Sequence, residues 1–190
     1  MLKIIGTTAD AQASLELDPH VPFTLRLGIP PAEASFIWDC SEKQSSQGST
    51  IVEIWVHPKT AAIHKVTLVS IDPARVKQLS EPDSAPTIPT PGRIPVCDTI
   101  PWTRVKAWNN PEQPAKMNVS ETAQVDFVLG SNFASLRLSP SEPASWIVNQ
   151  RARFGVNAEN VLCWIDLINL RPEDIADLRE AVAPYEPKQD

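Results

Sequence analysis

Apolar side chains recur at every second position along most of this chain, and at helical spacing only near its end. The clearest case is Ile51-Val52-Glu53-Ile54-Trp55-Val56, followed across His57-Pro58-Lys59-Thr60-Ala61-Ala62 by Ile63-His64-Lys65-Val66-Thr67-Leu68-Val69. β-Branched runs flanking a short polar loop predict a hairpin. With Val56 opposite His64, Ile54 meets Val66 and Val52 meets Leu68 on a core face, while Trp55 meets Lys65 and Glu53 meets Thr67 on a mixed one. A one-residue slip would scramble that segregation, so the pattern itself sets the register.

The same form recurs at 125–129 and 133–138 around Gly130-Ser131-Asn132, and at 151–156 and 161–167 around Asn157-Ala158-Glu159-Asn160. Ser14-Leu15-Glu16-Leu17 and the run from Phe23 to Ile29 add strands around Asp18-Pro19, and Met1-Leu2-Lys3-Ile4-Ile5-Gly6 reads as a first strand. Residues 39–49 are polar and serine-rich and predict a mobile loop. One helix is expected at the C-terminal end: Pro172 suits a first helical position, Glu173 and Asp174 complement the N-terminal dipole, and Ile175, Leu178 and Val182 share one face. Arg171 stands where a capping Ser, Thr, Asp or Asn belongs. The expected fold is mainly β (or α+β): an antiparallel β-sandwich or open barrel built from hairpins, in one domain over residues 1–190, with a C-terminal amphipathic helix.

Proline modifies this picture. Nineteen prolines against six glycines is about double the usual share of roughly 5%. Those at 82, 86, 89, 91, 95 and 101 predict an extended crossing over about 80–101, since each removes a donor and pushes its predecessor toward extended geometry. The segment that follows, Trp102-Thr103-Arg104-Val105-Lys106-Ala107-Trp108, reads as a strand that projects Trp102, Arg104, Lys106 and Trp108 from one side. Aromatics interleaved with cations suit a partner-binding stripe, and equally a guarded edge strand.

Charge then narrows the classes of partner. There are 17 basic and 23 acidic residues, giving a net charge of −6. The deficit falls on both halves, so no basic lobe exists to neutralise phosphates, and a nucleic-acid partner is not expected. From Glu173 onward six acidic residues face two basic ones, and the helix face bearing Glu173, Asp174 and Asp177 would address a basic partner. No apolar run reaches the roughly 18 residues of a membrane span, and the N-terminal segment has no secretory-signal pattern. Cys40, Cys97 and Cys163 are odd in number and widely spaced, as expected of reduced thiols in the cytoplasm.

Candidate chemistry is sparse. The hairpin register places His57 and His64 on opposite faces, so they are not expected to share a metal, and neither metal nor cofactor is expected. Cys40, beside Trp38 and Asp39, is the only local cluster with the ingredients of a nucleophile, and it carries no signature of a known cysteine enzyme. Gly-x-Ser-x-Gly, His-Glu-x-x-His, Walker and Gly-x-Gly-x-x-Gly motifs are all missing.

The run Ile54-Trp55-Val56-His57-Pro58-Lys59-Thr60 with Ile63-His64-Lys65-Val66-Thr67-Leu68, together with the closing Leu170-Arg171-Pro172-Glu173-Asp174-Ile175-Ala176-Asp177-Leu178, resembles the strand–turn–strand and Leu-x-Pro-Glu-x-Ile-x-x-Leu endings of bacterial proteins. Some of these are immunity proteins that neutralise polymorphic or contact-dependent toxins. The resemblance implies an acidic, cytoplasmic, non-catalytic protein that binds a toxin domain and occludes its site; it assigns no functional residue. The expected partner is therefore a protein, a basic toxin domain in particular. Two rival expectations are a small-ligand-binding β-barrel with inward aromatics and a hydrolase that uses Cys40 or a histidine.

Overall fold

Period-two patterning becomes strands in all three expected hairpins and in the two runs before them. A computed structural model describes residues 1–9, 12–32, 35–42, 48–79, 92–103 and 117–183. In chain order the strands are β1 Ile4–Thr8, β2 Ala13–Glu16, β3 Phe23–Leu27, β4 Phe36–Ser41, β5 Ile51–Val56, β6 Ile63–Ser70, β7 Val76–Gln78, β8 Ile94–Cys97, β9 Met117–Thr122, β10 Asp126–Leu129, β11 Ala134–Arg137, β12 Ser145–Val148, β13 Ala152–Val156 and β14 Leu162–Leu167. The helices are α1 Ile100–Thr103 and α2 Pro172–Ala181, with a 3-10 turn at Pro73–Arg75.

Among the described residues these strands form two open six-stranded sheets, ordered β2-β3-β6-β5-β4-β9 and β12-β13-β14-β11-β10-β7, and a separate pair β1-β8. Neighbours are antiparallel except at one edge of each sheet, where β9 runs parallel to β4 and β7 parallel to β10. The inner faces share one apolar cluster that takes Phe23, Leu25, Ile54 and Val66 from the first sheet and Phe127, Leu136, Phe154 and Ile165 from the second. Phe23 and Phe127 meet across it with ring centroids 6.3 Å apart. Neither sheet closes on itself, so the barrel alternative gives way to the sandwich. The pair β1-β8 laces the two together: Val96 bridges to Ala62 just before β6, and Lys3 to Val161 just before β14.

The first hairpin keeps the expected partners Val52 with Leu68, Glu53 with Thr67, Ile54 with Val66 and Trp55 with Lys65. It departs at the loop end, where Val56 pairs with Ile63 and His64 becomes the extra residue of a β-bulge. A bulged residue leaves the strict alternation. His64 is buried and lies edge-on to Trp55, ring centroids 6.4 Å apart, so its expected place opposite Val56 is corrected.

Between β7 and β9 the structure departs further. Residues 80–91 of the expected crossing lie outside the described residues, and the described remainder holds strand β8 and the start of α1. Pro95 sits in β8, in the short two-stranded pair where a missing N–H is tolerated. Pro101 falls in the first turn of α1, where no helical acceptor is lost, and Asp98 accepts a hydrogen bond from the Ile100 N–H at 3.0 Å to start that turn. Residues 39–41 of the expected polar loop belong to β4, and 43–47 lie outside the described residues.

Helix α2 begins as the proline and acidic residues imply, and packs Ile175, Leu178 and Val182 into the common cluster. Arg171 lacks a capping oxygen, so the cap is built from the other end. The Asp174 carboxylate accepts from the Arg171 backbone N–H at 2.9 Å and from its guanidinium at 3.2 and 2.9 Å, which is the return half of a capping box.

Candidate functional site

Of the expected stripe at 102–108, only Trp102 and Thr103 lie among the described residues, and they are helical instead of extended. Trp102 sits in α1, fully buried, stacked on Phe36 at 5.5 Å between centroids, with its indole N–H donating to the Ile37 carbonyl at 2.9 Å. A side chain with that lid and that partner is part of the core and offers nothing to a binding surface. Arg104, Lys106 and Trp108 lie outside the described residues. On α2, Glu173 and Asp177 are exposed, with Glu173 ion-paired to Arg171 at 2.9 Å. Asp174 is buried, and the Arg171 guanidinium beside it holds its carboxyl below the usual range. Its carboxylate is committed to the start of α2.

A cation–aromatic arrangement does exist, on the outer face of the second sheet. Register brings Trp146, Gly155, Trp164 and Arg137 into one row across four strands, with Arg153, Asp166 and Ser135 in the next. Gly155 makes the row possible. A Cβ there would lie 2.7 Å from the Pro143 ring and 3.1 Å from the Trp146 indole, so the bare backbone lets both lie over β13. The Trp146 and Trp164 rings meet edge to face, centroids 6.2 Å apart. Arg153 lies 4.2 Å over Trp146, and Arg137 lies 4.2 Å over Trp164.

The result is a four-membered ladder, Arg153-Trp146-Trp164-Arg137, with a cation over each outer indole face and an edge-to-face contact between the two rings. Its side chains are half-buried, and beneath them Asp166 is only 1% exposed. Burial pushes the Asp166 carboxyl above its usual range against the pull of Arg153 and Arg137. Arg153 donates to it through Nε at 2.5 Å. The two cations differ in their commitments: Arg153 is tied to a carboxylate, whereas among the described residues none lies within ion-pair distance of Arg137.

The first sheet carries a smaller counterpart. Lys65 Nζ stands 3.4 Å over the Trp55 ring, whose N–H donates to Glu53 at 3.0 Å, and Arg26 grips Glu16 through two hydrogen bonds. Next to it, Ser35 Oγ and His64 Nε2 are 2.9 Å apart, both groups buried. This contact was invisible in the sequence, where the two are 29 residues apart. Burial, with the nearby charges of His57, Lys65 and Arg26, pulls the imidazole down to about 4. The ring is therefore neutral at pH 7 and a weak base. His57 is engaged elsewhere, its Nδ1 accepting from the N–H groups of Lys59 and Thr60.

Burial pushes the Cys40 thiol up to about 11 and the Cys97 thiol to about 12, and also raises Cys163. An activated nucleophile needs the opposite shift. Among the described residues no group of three metal-ligating side chains comes together, and no helix is long and apolar enough to cross a membrane. No protein-family model matches the chain, and no curated protein matches it in sequence.

Proposed function

We propose that this chain is a non-catalytic protein-binding protein, and that it is an immunity protein of the kind its hairpin and helix-start residues resemble, occluding the site of a toxin domain in the cytoplasm. The observation that carries this reading is the Arg153-Trp146-Trp164-Arg137 ladder on the outer face of the second sheet. Trp and Arg dominate binding hot spots because they combine large apolar area with directed donors. Here each is already held by its neighbour, so docking costs little further side-chain entropy. The exposed Glu173 and Asp177, within a chain of net charge −6, favour a basic partner by steering encounter and rejecting acidic competitors. Three buried, unpaired cysteines suit a reducing compartment.

The test is calorimetric titration of the purified chain with the toxin domain encoded beside it. Trp146→Ala and Trp164→Ala are each expected to weaken binding by roughly 30-fold or more, the effect of a hot spot of about 2 kcal/mol. A wild-type chain that binds no such domain, or alanine variants that bind it undiminished, would remove the ladder from the reading.

A further inference from the structure

One end of the ladder opens into a pocket. A concavity of about 300 Å³ is lined by Arg137, Asp126, Gln124 and Ser139, by the apolar Leu138 and Pro140, and by Met1, whose N-terminal ammonium is ion-paired to Glu121. Its charges are unequally satisfied. Asp126 pairs through Oδ2 with the Lys77 ammonium 2.6 Å away, while its buried Oδ1 has no hydrogen-bond partner among the described residues. Arg137 has no carboxylate within ion-pair distance among the described residues, its Nε makes no hydrogen bond, and its guanidinium carbon lies 4.2 Å from the Trp164 ring centroid. Ser139 accepts the Ser141 N–H at 3.3 Å, which leaves its own hydroxyl proton to donate.

We propose that this pocket binds a carboxylate, with Arg137 as the fork that receives it and Ser139 as a second donor. A guanidinium beside an indole can receive a carboxylate bidentately, and it is more weakly hydrated than an ammonium. The volume stands at the low end of small-ligand sites, roughly 300–1,000 Å³, which suits a group the size of an amino-acid residue. A phosphate dianion fits poorly, because Asp126 shares the wall and the single unpaired cation leaves it undercompensated. The carboxylate of a peptide terminus and that of an acidic side chain offer the same chemistry. The inference stands apart from the protein-binding reading, since it needs no macromolecular partner.

Four compounds separate the outcomes when titrated into the full chain, followed by the Trp164 indole N–H resonance: N-acetylglycine, the α-amide of N-acetylglutamate, the neutral N-acetylglycinamide, and inorganic phosphate. N-acetylglycine or the glutamate derivative is expected to shift that resonance saturably at ~1–10 mM, as befits a ligand of so few atoms. The tighter of the two identifies the source of the carboxylate. Arg137→Lys is expected to weaken binding about tenfold, because a point charge cannot replace the fork. Gln124 is exposed at the rim, so Gln124→Glu leaves the fold intact and is expected to weaken binding through like charge. The proposal is overturned by no saturable shift from either carboxylate up to about 50 mM, by equal binding of the neutral amide or of phosphate, or by unchanged affinity in both variants.

Discussion

Trp102 and Trp164 place the same side chain in opposite surroundings, and their truncation is expected to have opposite consequences. Trp102 is fully enclosed, stacked on Phe36 and hydrogen-bonded to the Ile37 carbonyl. Trp102→Ala should therefore cost about 3–5 kcal/mol in urea unfolding through cavity formation, with no loss of partner affinity beyond that of the unfolded fraction. Trp164 is half-exposed under Arg137, so Trp164→Ala should cost less stability and more affinity. His64 gives a second residue-level test. Its folded value of about 4 lies below its ordinary 6.5, so between those values the unfolded chain binds a proton that the folded chain does not. Stability is then fully present above about pH 6.5 and falls as the pH drops toward 4, by roughly 3 kcal/mol in all. Denaturant midpoints across that range check it, and His64→Gln should flatten the slope; an unchanged slope would remove His64 as its source.

Elements were legible where period and local chemistry agreed. The 51–69 hairpin revealed its register because Val52, Ile54, Val66 and Leu68 segregate from Glu53, Trp55, Lys65 and Thr67. The bulge at His64 left no mark, since an inserted residue preserves composition and moves only one partner. β12 escaped notice because Ser145-Trp146-Ile147-Val148 is short and follows Pro140 and Pro143. Without β12 the Arg153 and Trp164 of the third hairpin had no visible companion. The Trp102 stripe misled for a related reason: alternation over seven residues fits a strand, but Asp98 and Pro101 at its start favour a helical turn. Helix α2 was recognisable from Pro172 and its apolar spacing, while its cap was not, because Asp174 reaches back to Arg171 from three residues downstream. Asp174→Ala is accordingly expected to destabilise the chain by about 1 kcal/mol, read from thermal unfolding, with Glu173→Ala close to neutral.

For the whole molecule, both sheets direct their aliphatic and phenyl side chains to one shared interior and keep tryptophan–cation stacks on their outer faces. The sandwich was foreseeable from three hairpins with one apolar face each. The location of the proposed contact surface was not, because it depends on which strands become neighbours: Trp146, Trp164 and Arg137 come from three strands that the sequence spaces 9 to 27 residues apart. The acidic excess retains its place on α2 in Glu173 and Asp177, while Asp174 belongs to the helix start. The central claim is that the outer face of the second sheet is the contact surface. Hydrogen exchange of the chain with and without the proposed toxin partner tests this most directly. Protection concentrated on β11 to β14 around Trp146, Arg153 and Trp164 is the expected result; protection confined to the first sheet or to β1 and β8, with β11 to β14 unchanged, would contradict it.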